Sequence, residues 1–193
     1  MDLELREKAK RIKAAALDGD GVIFTGHVLE GPEGGFGKIR SHADGQGISL
    51  LRAAGIAVCC ITGESGMNAR FLESLVEKWN GLPSVKEGRW KPVKIFSGAE
   101  RMQKTELVKS WLQDEGISLS ECAAMGDDMT DYDLLKAVGE AGGLAASPAQ
   151  AEDVVKRIVH FVAPRRGGDG AIRDLANLIL EAKEIDVTTF PLR

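Results

Sequence analysis

Two hydrophobic patterns alternate along the chain. Short, mostly apolar runs lie at residues 12–17, 56–61, 93–96, 121–125, 143–146 and 160–163. Residues 56–61 are continuous Ile, Ala, Val and Cys, as a strand buried on both faces requires, and 93–96 is the weakest of the set. Between the runs, apolar residues recur every three or four positions, which is helical spacing. Met67, Phe71, Leu72, Leu75 and Val76 mark a helix over 65–78. Met102, Leu107, Val108, Trp111 and Leu112 mark another over 99–114, stopped by Gly116. Shorter helices are predicted over 45–54, with Asp44 as N-cap and Gly55 as stop, and over 132–138, ended by Gly139. Residues 149–157 join the last two strands, and 170–183 form a final amphipathic helix.

Strands alternating with helices predict an α/β fold built of βαβ units, with a parallel sheet and right-handed crossovers. Two segments break the rhythm. Residues 24–40 are rich in glycine, and Gly34-Gly35 is a good turn for a β-hairpin. Residues 80–91 carry Pro83 and Gly88 and run into Pro92, which predicts a surface loop or small insertion. The tail, 184–193, is expected to be poorly ordered unless a partner ties it down. With 193 residues and no internal repeat, the expectation is one domain over 1–193.

Composition narrows the function classes. A hydrophobic share of 44% with 28% charged residues is that of a folded globule and excludes disorder for most of the chain. A net charge of −4 lacks the basic footprint of a nucleic-acid binder. No apolar run approaches the ~20 residues of a membrane span. Met1-Asp2-Leu3-Glu4-Leu5-Arg6-Glu7 is charged where a secretory signal is apolar, so a cytoplasmic protein is expected. The three cysteines are odd in number and have no framework spacing. Cys59 and Cys60, adjacent in a strand, point to opposite faces and cannot grip one metal, so they read as buried reduced thiols. His27, His42 and His160 show no ligand spacing, which argues against zinc.

Four places carry candidate chemistry. Leu17-Asp18-Gly19-Asp20-Gly21-Val22 follows the first strand; alone, an Asx-rich turn explains it. Thr62-Gly63 follows the second, and alone its hydroxyl is an ordinary cap, as Ser65 is. Lys104 stands near a helix start, where a solvated charge is the plain reading. Gly126-Asp127-Asp128-Met129-Thr130-Asp131 packs three carboxylates into five residues. Their repulsion needs an offset, from a hard divalent cation with oxygen ligands or, more simply, from an exposed helix start. Taken together, these acids and the hydroxyl all sit at the carboxyl ends of strands, where open parallel sheets bind ligands. A carboxylate nucleophile, a second carboxyl as acid/base, a metal site and donors for phosphoryl oxygens make a phosphoryl-transfer kit.

The order D-x-D-G-V, T-G, K, G-D-D-x-x-D resembles that of the haloacid-dehalogenase-like (HAD) phosphatases. Within them it is most similar to the small capless branch typified by 3-deoxy-D-manno-octulosonate 8-phosphate (KDO 8-phosphate) phosphatases. Asp44-Gly45-Gln46-Gly47-Ile48 resembles that branch's D-G-x-G-I. Gly167-Gly168-Asp169-Gly170-Ala171-Ile172-Arg173-Asp174 resembles its G-G-x-G-A-V-R-E. The similarity spans about residues 15–180. It implies a HAD-like Rossmannoid three-layer α/β/α fold with a central parallel sheet, the 24–40 hairpin as a small flap, and no large cap domain. It also implies Mg²⁺ as cofactor, a phosphorylated 2-keto-3-deoxy sugar acid as substrate, and a homotetramer in which hairpins and neighbours help cover each site.

The same resemblance assigns roles. Asp18 would attack phosphorus and form an aspartyl-phosphate, and Asp20 would protonate the leaving oxygen and then activate water. Thr62 and Lys104 would hold the phosphoryl oxygens. Mg²⁺ would be bound by the Asp18 and Asp127 carboxylates and the Asp20 carbonyl. Asp128 and Asp131 would orient Lys104 and metal-bound water. Gly63, Glu64 and Arg173 would meet the substrate.

Some positions depart from the branch. Ile23-Phe24-Thr25 replaces a Leu-Thr-Asp type sequence, and Phe24 is expected to narrow the pocket mouth. Glu64 stands where the octulosonate phosphatases commonly have Arg, which suits a substrate carboxylate. Relatives with Glu there look more like phosphatases of nine-carbon sugar-acid 9-phosphates. Arg165, Arg166 and Arg173 flank a helix N-terminus, which favours anions, although loop closure and surface charge also account for them. A response-regulator receiver also uses acids, Thr and Lys, but in another order. A catalytically silent HAD-fold domain kept for regulation or oligomerisation would be expected to lose its acids, and Asp18, Asp20, Lys104 and Asp127 are all present. The Gly-Gly-Phe-Gly-Lys of the hairpin misses the phosphate-loop spacing, and Ile39 replaces the Ser/Thr that would touch Mg²⁺.

Overall fold

A computed structural model describes residues 2–32 and 34–190. The chain opens with helix α1 (Leu3–Arg11) and strand β1 (Ala14–Asp18). An antiparallel hairpin follows, β2 (Val28–Gly31) and β3 (Gly34–Lys38). Helix α2 (His42–Ala53) leads to β4 (Ala57–Ile61), α3 (Gly66–Asn80), the single turn α4 (Pro83–Lys86) and β5 (Lys94–Phe96). The second half runs α5 (Arg101–Asp114), β6 (Cys122–Met125), α6 (Tyr132–Glu140), β7 (Leu144–Ser147), α7 (Asp153–Lys156), β8 (Phe161–Val162) and α8 (Ala171–Ala182). The main sheet has the order β5-β4-β1-β6-β7-β8, and every pairing in it is parallel.

The strand residues divide by parity, as the pleat requires. Ala15, Leu17, Val58, Cys60, Ala123 and Met125 join a core with α1, α2, α3 and α8. Ala14, Ala16, Cys59, Ile61, Cys122 and Ala124 join a second core with α5 and α6. The result is the three-layer α/β/α arrangement. Cys59 and Cys60 fall into different cores, and all three cysteines are free and buried. Burial pushes the Cys122 thiol up to about 12, so it is inert as a nucleophile.

The structure adds to and corrects the sequence reading in three places. Helix α1 was not predicted, because its sequence is mostly charged; Ala9 and Ile12 are buried and Leu5 packs against the core. Lys183 at the end of α8 donates to the Lys10 carbonyl at 2.7 Å. Asp44 is not the N-cap of α2. That helix begins at His42, and Ser41 caps it by accepting from the Ala43 N–H at 3.1 Å. Asp44 instead turns inward and is buried. The 80–91 segment is more than a loop. Asn80 ends α3 and exchanges two hydrogen bonds with the Val93 backbone, at 2.9 and 2.7 Å. Trp90 is buried beneath the Arg52 guanidinium, 5.4 Å from the ring centre, and Arg52 donates to the Lys91 carbonyl at 3.0 Å.

In the tail, Asp186 caps a short turn at Val187–Thr189; residues 191–193 lie outside the described residues, as does Glu33 of the hairpin. Among the described residues no helix is long and apolar enough to cross a membrane.

Candidate active site

Strand β1 lies between β4 and β6, and the strand order reverses around it. A crevice at the carboxyl ends of the strands follows from that topology. Asp18 is the last residue of β1, Thr62 follows β4, and Asp127 lies just beyond β6. A cavity of about 300 Å³ opens there. Asp18, Asp20, Thr62, Gly63, Glu64 and Lys104 line it, together with Asp127, Asp128 and Thr130. Among the predicted site residues, Asp131 and Arg173 lie off its wall. Thr130 had no motif of its own beyond its place within the acidic run.

Lys104 reaches the cavity from the first turn of α5 and is 1% exposed. Its ammonium lies 2.6 Å from Asp18 Oδ1 and 2.7 Å from Asp131 Oδ1. Burial disfavours the Lys104 charge, but the two carboxylates outweigh it and hold the pKa above its ordinary value. Burial raises the Asp18 carboxyl well above the usual carboxylate range, Asp131 adds to the rise, and Lys104 opposes it. Burial, then Asp131 and Asp128, push Asp127 up to about 7. One ammonium does not balance this group of acids.

Carboxylate oxygens of Asp18, Asp127 and Asp131 all lie within 4.8 Å of one another. Both oxygens of Asp131 are already engaged, one by Lys104 and the other by the Asp127 N–H at 2.9 Å. Asp18 and Asp127 are therefore the carboxylates best placed to hold an ion. An all-oxygen, acid-rich set with a charge deficit fits a hard divalent cation. Gly21 makes room for this arrangement: its φ is +79°, and a Cβ there would collide with the Asp127 carboxylate. Asp128 does not touch Lys104; its Oδ1 accepts from the Thr130 N–H at 2.6 Å and the Thr130 hydroxyl at 2.7 Å.

Thr62 is buried, and its Oγ1 accepts from the Glu64 N–H at 3.1 Å. One lone pair is used by the turn, and the hydroxyl proton is left for a ligand. Asp20 is held differently. Its Oδ2 accepts from the Lys38 ammonium at 2.7 Å, while its Oδ1 is buried with no hydrogen-bond partner among the described residues. Phe24 does not narrow the cavity mouth as expected. It is 4% exposed, off the cavity wall, and its ring centre stands 5.6 Å from the Lys38 ammonium. Lys38 was missed from sequence because a lysine in a glycine-rich hairpin carries no motif.

The late glycine-rich segment supports the site from behind. Gln150 donates to the Gly21 carbonyl at 2.7 Å and accepts from the Gly167 N–H at 2.9 Å. Gly168 donates to the Val22 carbonyl at 2.8 Å. A Cβ on Gly167 would strike the Gly21 carbonyl, so the two loops touch backbone to backbone. Asp44 accepts from the N–H groups of Gly170 and Ile172, each at 2.9 Å, and of Arg173 at 3.3 Å, which caps α8. The Arg173 guanidinium faces Asn177 at 2.9 Å and Gln46 at 3.4 Å instead of the cavity. Arg165 pairs with Asp174 at 2.6 Å.

Comparison with known proteins gives the same picture. The KDO 8-phosphate phosphatase of Haemophilus influenzae is 26% identical over 180 residues, covering 93% of this chain and 88% of that protein. Its counterpart from Yersinia pestis is 27% identical over 178 residues, covering 92% and 84%. Among solved structures, the Moraxella catarrhalis KDO 8-phosphate phosphatase, with magnesium, phosphate and KDO bound, superposes with a TM-score of 0.76 at 28% identity, covering 94% of this chain and 92% of that one. The cobalt-bound Haemophilus influenzae enzyme superposes with a TM-score of 0.75 at 26% identity, covering 92% of each chain. A profile described as haloacid dehalogenase-like hydrolase matches residues 50–173. Since that match spans well over half of the sequence and takes in Thr62, Lys104 and the 126–131 acidic run, the chain belongs to the haloacid dehalogenase-like hydrolase family.

Proposed function

We propose that this chain is a Mg²⁺-dependent phosphatase that removes phosphate from a small 2-keto-3-deoxy sugar acid of the KDO 8-phosphate type. The observation that carries the reading is the Asp18–Lys104 ion pair, 2.6 Å long, beneath an acid-lined cavity with Asp20 two residues away. Lys104 holds the Asp18 carboxylate, which attacks phosphorus as the ester P–O bond breaks. Lys104 and the Thr62 hydroxyl hold the phosphoryl oxygens, where charge must be offset. Asp20 gives a proton to the departing sugar oxygen. It then takes one from the water that attacks phosphorus and frees Asp18. Asp18, Asp127 and the Asp20 carbonyl would hold Mg²⁺, which would supply positive charge to the cluster and the phosphoryl group. Asp131 orients Lys104, and Asp128 and Gly63 complete the wall.

Glu64 supports a second reading of the substrate. It is half-buried on the cavity wall and repels a carboxylate placed beside it. A nine-carbon sugar-acid 9-phosphate, with its acid group farther from the phosphate, is the alternative. The three free, buried thiols fit a reducing compartment, and we place the protein in the cytoplasm as a single domain. Exposed Val28, Leu29 and Ile39 on and beside the hairpin fit the homotetramer implied by the resemblance.

The test is phosphate release with Mg²⁺ from the eight-carbon 8-phosphate, two nine-carbon 9-phosphates and hexose phosphates. Strong preference for one sugar acid is expected. Asp18→Asn is expected to cut turnover by at least ~10³-fold with an unchanged circular dichroism spectrum. Near-full activity in that variant would sink the mechanism.

A further inference from the structure

The hairpin is linked to the catalytic turn by one buried charge. Lys38, the last residue of β3, has a side chain only 2% exposed. Its ammonium lies 5.6 Å from the Phe24 ring centre and 6.0 Å from that of Phe71. Its hydrogen bond goes to Asp20 Oδ2 at 2.7 Å, and no other polar partner is found for it among the described residues. An ammonium this well covered needs an acceptor, and Asp20 Oδ2 is the one it has. The Thr25 N–H donates to the Ile39 carbonyl at 2.9 Å, which locks the end of β3 to the turn carrying Asp20. Asp20 is thus fixed at Oδ2.

We propose that Lys38 is a positioning residue that fixes the Asp20 carboxyl at the cavity wall for its exchange of a proton. In the first step the Asp20 carboxyl proton passes to the ester oxygen as its bond to phosphorus breaks and the Asp18–phosphorus bond forms. In the second step the Asp20 carboxylate takes a proton from water as the water–phosphorus bond forms and the Asp18–phosphorus bond breaks. The hairpin is therefore part of the acid/base apparatus without touching substrate. This inference rests on the phosphatase reading above.

The test compares leaving groups by kcat/KM, which reads the steps up to departure of the leaving group. A sugar-acid phosphate expels an alkoxide that needs a proton; p-nitrophenyl phosphate expels a nitrophenolate that does not. Lys38→Met keeps the aliphatic stem between the two rings. It is expected to lower kcat/KM for the sugar phosphate roughly 10–100-fold and for the aryl phosphate less than about threefold. Lys38→Arg is expected to restore most of the loss. In an Asp20→Asn background, Lys38→Met is expected to add nothing. Equal losses on both substrates, or an undiminished loss in the Asp20→Asn background, would overturn the assignment. If Lys38→Met does not fold, Lys38→Gln is read by the same criteria. Wild-type inactivity toward both esters would mark failure of the phosphatase reading itself, with which this one falls.

Discussion

Single side chains set the reaction and its selectivity by different means. Asp18, Lys104 and Asp131 form a buried chain of alternating charge, and each is fixed by its neighbour. Glu64 is free of that chain and stands on the cavity wall, so it can change without unfolding the site. Glu64→Arg is therefore expected to shift preference at least about tenfold toward the eight-carbon acid, since a guanidinium pairs with a carboxylate that glutamate repels. Competition between the two sugar-acid phosphates in one reaction reads this directly, and an unchanged ratio would remove Glu64 from substrate choice. The residues placed by backbone motifs were legible in the sequence: Asp18, Thr62 and Asp127 end strands or follow them directly. Lys38 was not legible, because its meaning lies in a partner on another loop, 18 positions away. Arg173 was misleading for the opposite reason. It opens a helix near the site, but its guanidinium finds Asn177 one turn on.

The most consequential contact between elements is the cap on α8. Asp44, on α2, accepts three backbone N–H groups at the start of α8 and is itself buried. Such a cap meets the orphan donors that every helix start presents. Asp44→Ala leaves those donors covered and unpaired, which costs about 2–3 kcal/mol. A fall of roughly 5–10 °C in melting temperature is expected for a chain of this size. A fall within 1 °C, by roughly the same scale, would mean that water replaces the carboxylate. Sequence reasoning saw Asp44 and gave it the wrong helix, because capping rules look only at the residues that follow. It read the main strands and helices correctly, since each has its own apolar period. It missed α1, whose charged surface hides the inward Leu5 and Ala9, and it underrated 80–91, where Trp90 is covered by a distant arginine.

Across the whole molecule, the sheet converts scattered acids into one site. Alternation of strands and helices announced the α/β class, but the order β5-β4-β1-β6-β7-β8 is not written in any local pattern. Only that order sets Asp18 between Thr62 and Asp127. The resulting group of close carboxylates is stable folded only against its own repulsion, so an ion that binds the folded state adds stability by mass action. At about one hundred times its dissociation constant, Mg²⁺ is expected to add about 2.7 kcal/mol and raise the melting temperature roughly 5–10 °C, reversed by EDTA. No shift would favour the catalytically silent reading of the fold. The Asp44 cap also has a bearing on biosynthesis. Its partners are residues 126, 128 and 129 positions later, and α1 and α2 both pack on α8. During translation the first third of the chain must wait, with its apolar face uncovered, until the last helix leaves the ribosome. Non-local closure of this kind folds slowly and exposes the unclosed nascent chain to chaperones.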